Sequence, residues 1–138
     1  MIKFGTDGWR GIIARDFTFD NIRLVALATA KYLQNNFTDK DPLDVVIGYD
    51  TRFLSKQFAE ETALVLASYG IRVHLTKEIS STPQVSFQTK SKNADLGIMI
   101  TASHNPAIYN GYKVKANYGG PAKPEDIAAL EAELKKIW

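Results

Sequence analysis

The sequence contains no cysteine, which excludes a disulfide framework and any thiolate metal site. Histidine is scarce, with two in 138 residues, and neither His74 nor His104 has carboxylates spaced for a closed, protein-only metal site. Charge of one sign is lacking too. Seventeen basic and fifteen acidic residues leave a formal net charge of +2, too little to point to a nucleic-acid or membrane partner. No apolar run approaches a membrane span; the longest, near residues 45–47 and 96–100, have the length of buried strands. The first residues, Met-Ile-Lys-Phe-Gly-Thr-Asp-Gly, lack the apolar stretch of a secretory signal. There is no Gly-x-Gly-x-x-Gly fingerprint, no Walker lysine loop, no internal repeat and no low-complexity tract. The expectation is a soluble, single-domain chain over residues 1–138, in the cytoplasm.

What is present suits that class. Apolar residues make up 45% and charged residues 23%, ordinary for a globular domain large enough to bury a core. Residues 4–11 read Phe-Gly-Thr-Asp-Gly-Trp-Arg-Gly, a shaped glycine loop leading into a strand from Trp9 to Ala14. Asp20 is a candidate N-cap for a helix to about Asn36, with Ile22, Ala26, Ala30 and Leu33 on one face. Residues 39–42 are a polar break. Residues 44–49 are a β-branched buried strand, followed by Asp50-Thr51-Arg52. A second helix is expected from Ser55 to Tyr69, with Phe58, Thr62, Leu66 and Tyr69 in a stripe and Gly70 as its stop.

Residues 71–76 read as the next strand, and Thr82-Pro83 as an N-cap and first-turn proline opening a short helix. Residues 96–101 are a further buried strand. Pro106 makes residues 103–106 a loop. Residues 112–115 are a last strand, and 118–121 a turn. Pro124 starts a final helix with Glu125 and Asp126 in its first turn, Lys135 and Lys136 in its last, and Ile127, Leu130, Leu134 and Ile137 facing the core. Strands alternating with helices predict an α/β fold, a three-layer α/β/α sandwich on a mixed, mostly parallel sheet.

In such sheets ligands gather beyond the carboxyl ends of strands, where Asp50–Arg52 and residues 101–106 lie. From Leu96 to Pro124 there is no Asp or Glu, while His104, Lys113, Lys115 and Lys123 fall within it. An anionic ligand such as phosphate fits that stretch; so does a plain solvated face, and composition leaves both readings open. Ser103 is the nucleophile candidate, yet a serine hydroxyl needs a base or prior activation. His104 is a poor base for it, because neighbouring side chains on extended backbone point apart and no nearby carboxylate orients the ring as a triad requires. Arg10 can fork onto a phosphate or pair with Asp7. Asp50 and Arg52 read as a local salt bridge fixing their loop.

The hexapeptide Thr101-Ala102-Ser103-His104-Asn105-Pro106 resembles the active-serine loop of the α-D-phosphohexomutase family. Phe4 to Gly11, Val46 to Arg52, and Asn110-Gly111-Tyr112-Lys113 extend the resemblance in the family's order across essentially the whole chain. The resemblance implies the serine-bearing first domain of an enzyme interconverting hexose 1- and 6-phosphates (phosphoglucomutase or phosphomannomutase type), an isomerase acting by phosphoryl transfer. Ser103 would carry the phosphoryl group, and Lys113 would be the general acid/base, with Lys115 and Arg10 as cationic neighbours. Arg10 would help hold the transferring phosphate, and His104 would support the loop or touch substrate. Mg2+ is implied for the full-length enzyme, held from this chain only through the phosphate on Ser103. The family's Asp-Gly-Asp-Gly-Asp-Arg metal loop and its sugar and distal phosphate loops are not in this sequence. The resemblance therefore implies further domains as partners, alongside the hexose phosphate, and an isolated domain without turnover. A phosphoglucosamine mutase domain and a non-catalytic sugar-phosphate-binding module stay open as alternatives. A phosphatase is a third reading, disfavoured because no water-activating carboxylate is evident.

Overall fold

A computed structural model describes residues 2–5 and 8–138; Asp7, a candidate partner of Arg10, lies outside them. Five strands and four helices follow in the order β1 (Trp9–Ile12), α1 (Phe19–Asn36), β2 (Asp44–Tyr49), α2 (Ser55–Ser68), β3 (Arg72–Leu75), α3 (Thr82–Ser91), β4 (Leu96–Ile100), β5 (Tyr109–Ala116) and α4 (Pro124–Ile137). The sheet order is β1-β5-β4-β2-β3. β2 pairs in parallel with both β3 and β4, while β5 is antiparallel to β4 and to β1. Four strands therefore run one way and only β5 runs against them: the sheet is mixed and mostly parallel, as the alternation of elements predicts.

Period-two alternation splits the core across the sheet. Val45, Ile47, Ile98, Ile100, Tyr112 and Val114 join Ile22, Val25, Phe58, Leu66 and Leu130 in one cluster, so α1, α2 and α4 form one layer. Val46 and Met99 point the other way and meet Val85 of α3. That makes the third layer a single helix. Lys113 and Lys115, one residue out of step with Tyr112 and Val114, share the α3 side, opposite Met99 and Gly97.

Several boundaries move from their expected places for local reasons. The cap of α1 is Thr18, not Asp20: its hydroxyl accepts from the Asn21 amide. Phe17 and Ile22, both fully buried, hold the positions of a hydrophobic staple around that cap. Asp20 falls instead in the first turn, where the dipole favours a carboxylate. The cap of α3 is Ser81, not Thr82, closed by a reciprocal capping box with Gln84. Its Ser-x-x-Gln spacing is legible in the sequence. β1 stops at Ile12, and β5 starts three residues earlier than expected, at Tyr109, because its partner residues Trp9–Ile12 extend the ladder to that point. Tyr69 follows α2 as its C-cap and is half exposed, and Gly70 takes the left-handed turn with φ +77°. Among the described residues no helix is long and apolar enough to cross a membrane.

The amino ends of β2 and β3 carry a charged knot on the side of the sheet remote from the serine loop. Asp44, with its side chain 7% exposed, accepts from Arg72 at 2.6 and 3.1 Å and meets His74 Nε2 at 2.9 Å and Lys40 at 3.3 Å. Asp95 ties the knot to β4, accepting from the Asp44 amide at 2.8 Å and from Lys40 at 2.9 Å. Hydrogen bonds from Arg72 hold the Asp44 carboxyl far below the ordinary carboxylate range; burial opposes this, and His74 and Lys40 add to it. A carboxyl lowered in the folded state stabilises it fully above the unfolded value near 3.8 and loses that contribution as pH falls. Asp44→Asn should therefore melt well below the parent protein near neutral pH, with the gap closing below about pH 4. Thermal melts across that range check this; a gap independent of pH would contradict it.

Candidate active site

The chain leaves β2 through α2 towards β3 on one side, and leaves β4 towards β5 on the other. β2 and β4 are neighbours, so their carboxyl ends flank a topological switch point, the place where open α/β sheets bind ligands. The two loops there are Asp50–Leu54 and residues 101–108. They meet directly.

Ser103 sits exposed in the second loop with φ +52°, a left-handed conformation uncommon outside glycine. Lys113, 6% exposed on β5, donates from Nζ to Ser103 Oγ at 2.6 Å. The antiparallel return of β5 against β4 makes this contact: pairing Met99 with Lys113 places the lysine just below the loop that leaves β4. Arg10, on β1 beside β5, donates to Asn105 Oδ1 at 2.8 Å, which puts its guanidinium on the same loop. His104 is exposed and makes no side-chain hydrogen bond among the described residues. Lys115 is buried two residues further along β5, its stem beside Gly97 and Thr89, one step deeper than Lys113. Arg10, Lys113 and Lys115 all have further polar partners.

Gly8 carries the glycine loop past this strand. Its φ is +122°, and a β-carbon there would lie 2.3 Å from the Tyr112 carbonyl oxygen, so only glycine lets the loop pass against the backbone beside Lys113. Gly111 is similarly closed in, with the Thr101 carbonyl oxygen 2.5 Å from where a β-carbon would stand.

Asp50 and Arg52 go beyond the expected salt bridge. Their closest side-chain ion-pair distance is 3.7 Å. The Asp50 carboxylate accepts instead from the Arg52 amide at 3.0 Å, the Ser55 hydroxyl at 2.8 Å and the Thr101 hydroxyl at 2.5 Å. The Arg52 guanidinium donates to four carbonyls, those of Ser103, Asn105 and Pro106 in the serine loop and that of Tyr109 at the start of β5. Sequence reasoning missed this reach. The available signal was a run of carbonyls around Pro106 with no ladder to accept them.

Chemically, the arrangement presents an accessible hydroxyl on a strained loop, touched by one buried ammonium and flanked by an exposed guanidinium. Such a site suits a phosphoryl group: the cations neutralise its charge and the lysine is placed to move a proton. Among the described residues no three His, Cys, Asp or Glu side chains cluster to hold a metal ion.

Comparison with known proteins identifies the family and the fold. The family model described as phosphoglucomutase/phosphomannomutase, alpha/beta/alpha domain I, matches residues 1–138. The chain is 41% identical over 140 residues to a phosphoglucomutase of Staphylococcus saprophyticus, covering 99% of this chain and 25% of that protein. It is 38% identical over 138 residues to a Schizosaccharomyces pombe protein named "Probable phosphoribomutase", covering 98% and 24%. A crystal structure described as a "putative phosphomannomutase" from Thermus thermophilus superposes with a TM-score of 0.91 at 42% identity, over 96% of this chain and 30% of that one. The chain thus spans about a quarter of the length of the relatives it matches. Fold, serine loop and full-length family match converge: the chain belongs to the phosphoglucomutase/phosphomannomutase family, as its α/β/α domain I.

Proposed function

We propose that this chain is the serine-bearing domain of a phosphohexomutase, with Ser103 as the phosphoryl carrier and Lys113 as the acid/base. The observation that carries the reading is the 2.6 Å contact from Lys113 Nζ to Ser103 Oγ, at an exposed hydroxyl beyond the end of a parallel strand. Prior phosphorylation removes the objection that a lone serine is a weak nucleophile. In the first half-reaction the Oγ–P bond of phosphoserine breaks as a sugar hydroxyl oxygen bonds to phosphorus, and the hydroxyl proton passes by way of Lys113 Nζ to the departing Ser103 Oγ. After the bisphosphate turns over, Ser103 Oγ attacks its other phosphorus and Lys113 returns the proton to the departing sugar oxygen. The net change is 1-phosphate to 6-phosphate, with the serine phosphorylated again.

Arg10, held towards the loop by Asn105, would stabilise the transferring group; His104, exposed beside Ser103, is free to contact substrate. A divalent cation such as Mg2+ would spread the charge of the transferred phosphoryl group, and this loop would give it one oxygen, on the phosphoserine. The remaining ligands and the sugar-binding groups would come from further domains of the complete protein, so the domain alone should not turn over. A cysteine-free chain working on charged sugar phosphates suits the cytoplasm.

The test is interconversion by the complete protein that carries this sequence, followed by 31P NMR with glucose 1-phosphate and a trace of the 1,6-bisphosphate. The 6-phosphate should accumulate without inorganic phosphate. Net phosphate release would make the protein a phosphatase, and binding without turnover would make it a sugar-phosphate-binding module. Glucosamine 1-phosphate belongs in the same assay, and the relative named a phosphoribomutase is reason to add ribose 1-phosphate.

A further inference from the structure

From the geometry of the two loops we infer that Arg52 is a positioning residue for phosphoryl transfer, clamping the backbone of Ser103 together with Asp50 and Thr101. The inference rests on the phosphoserine reading above and gives a task to a side chain that touches neither the serine hydroxyl nor the substrate site cations.

Both peptide groups flanking the Ser103 α-carbon are held. On the amino side, the Ser103 amide donates to Thr101 Oγ1 at 3.1 Å, and Thr101 Oγ1 donates to Asp50 Oδ2 at 2.5 Å. On the carboxyl side, Arg52 Nη2 donates to the Ser103 carbonyl at 2.8 Å and to the Asn105 carbonyl at 2.7 Å. Nη1 of the same guanidinium reaches the Pro106 and Tyr109 carbonyls at 2.9 and 3.0 Å. Fixing the amide on one side and the carbonyl on the other fixes φ and ψ of the residue between them. Ser103 needs such support, because φ +52° is a conformation that persists in a non-glycine residue only when its surroundings over-determine it.

The clamp is also tied to the strand that bears Lys113. Asp50 Oδ1 accepts from Ser55 Oγ at 2.8 Å, and Ser55 Oγ accepts from Asn110 Nδ2 at 2.8 Å. Asn110 lies on β5, three residues before Lys113. Hydroxyl and ammonium are thus mounted on one frame, and their 2.6 Å separation follows from it. The Arg52 side chain is 13% exposed, so most of it is shielded from solvent. Four carbonyls across a planar fork are a task for arginine; a lysine ammonium is a point donor and cannot span them.

The test compares Arg52→Lys and Thr101→Val in the complete protein, reading kcat, KM, melting temperature and amide hydrogen exchange over residues 101–109. Misplacing a reacting group by about 1 Å costs on the order of 10²-fold in rate. Arg52→Lys should accordingly lose about that factor in kcat with KM changed less than about threefold, and the loop amides should exchange faster. Thr101→Val, which leaves the arginine in place, should lose about tenfold and serves if the Arg52 variant does not fold. Ethylguanidinium added to Arg52→Gly should restore part of the rate, a response that a merely destabilised fold would not give. Parent-level kcat with unchanged loop exchange in either folded variant overturns the proposal. So does a rise in KM at constant kcat, which would make Arg52 a substrate ligand. If the mutase reading itself is wrong, the parent protein shows no interconversion and no label on Ser103, while loop exchange still reports on the clamp.

Discussion

Ser103→Ala is expected to remove phosphoryl incorporation altogether and to lower sugar-phosphate interconversion by about 10⁴-fold or more. The side chain is exposed and its hydroxyl is the only atom lost. The cost to folding should stay within about 1.5 kcal/mol, the usual net worth of the one hydrogen bond lost with Lys113. Rate and stability therefore separate, which makes the variant informative. Labelled bisphosphate, digestion and mass spectrometry of the residue 101–109 peptide check the site directly. Label that persists on the alanine variant would exclude Ser103 as the carrier, whatever happened to turnover.

Lys113→Met is expected to lower kcat by about 10²–10⁴-fold, the usual worth of a positioned acid/base, with KM within about threefold. Methionine is chosen because Lys113 is buried beneath the serine loop, and a truncation to alanine would add a cavity to the loss of the amine. If the variant instead raised KM at unchanged kcat, the ammonium would be binding phosphate in ground state and transition state alike, and the proton would have to move elsewhere. On the proposed reading the two variants divide the labour: one removes the atom that would accept phosphorus, the other the nitrogen that would handle the proton.

The Arg52 clamp bears on both outcomes. A serine held at φ +52° by bonds to its own amide and carbonyl keeps its hydroxyl against the lysine without bound substrate. On the proposed reading, catalytic geometry would be assembled in advance, which is how positioning lowers a barrier. It also explains why the loop can be exposed yet keep a defined shape.

How much was legible beforehand follows the range of the forces involved. β2 was readable to the residue because an uninterrupted β-branched run between polar breaks is a local signal, and so was the loop at residues 103–106, since proline forbids the alternatives. Helix starts were one or two residues off where adjacent side chains could all cap. Thr18 prevails over Asp20 because Phe17 and Ile22 are both buried around it, a tertiary preference that no local pattern ranks. Setting His104 aside as the serine's base rested on extended backbone and on the absence of nearby carboxylates; Ser103 instead adopts a left-handed turn with φ +52°, so the first of those premises does not hold.

The pairing that matters most was of a different order. The family resemblance named Ser103 and Lys113 together, but residue chemistry alone could not bring two side chains ten positions apart to 2.6 Å. That contact exists because β5 folds back antiparallel on β4 in the register Met99–Lys113. The fourfold carbonyl grip of Arg52 on a loop fifty residues away lies further still beyond any periodicity. Composition, strand periods and turn residues determined the α/β class, most element positions and the cationic character of the serine loop, because each depends on neighbours within a few residues. Sheet order, strand register and the clamp on Ser103 were decided by the tertiary structure, because they depend on which distant backbone groups are left needing partners once the layers have packed.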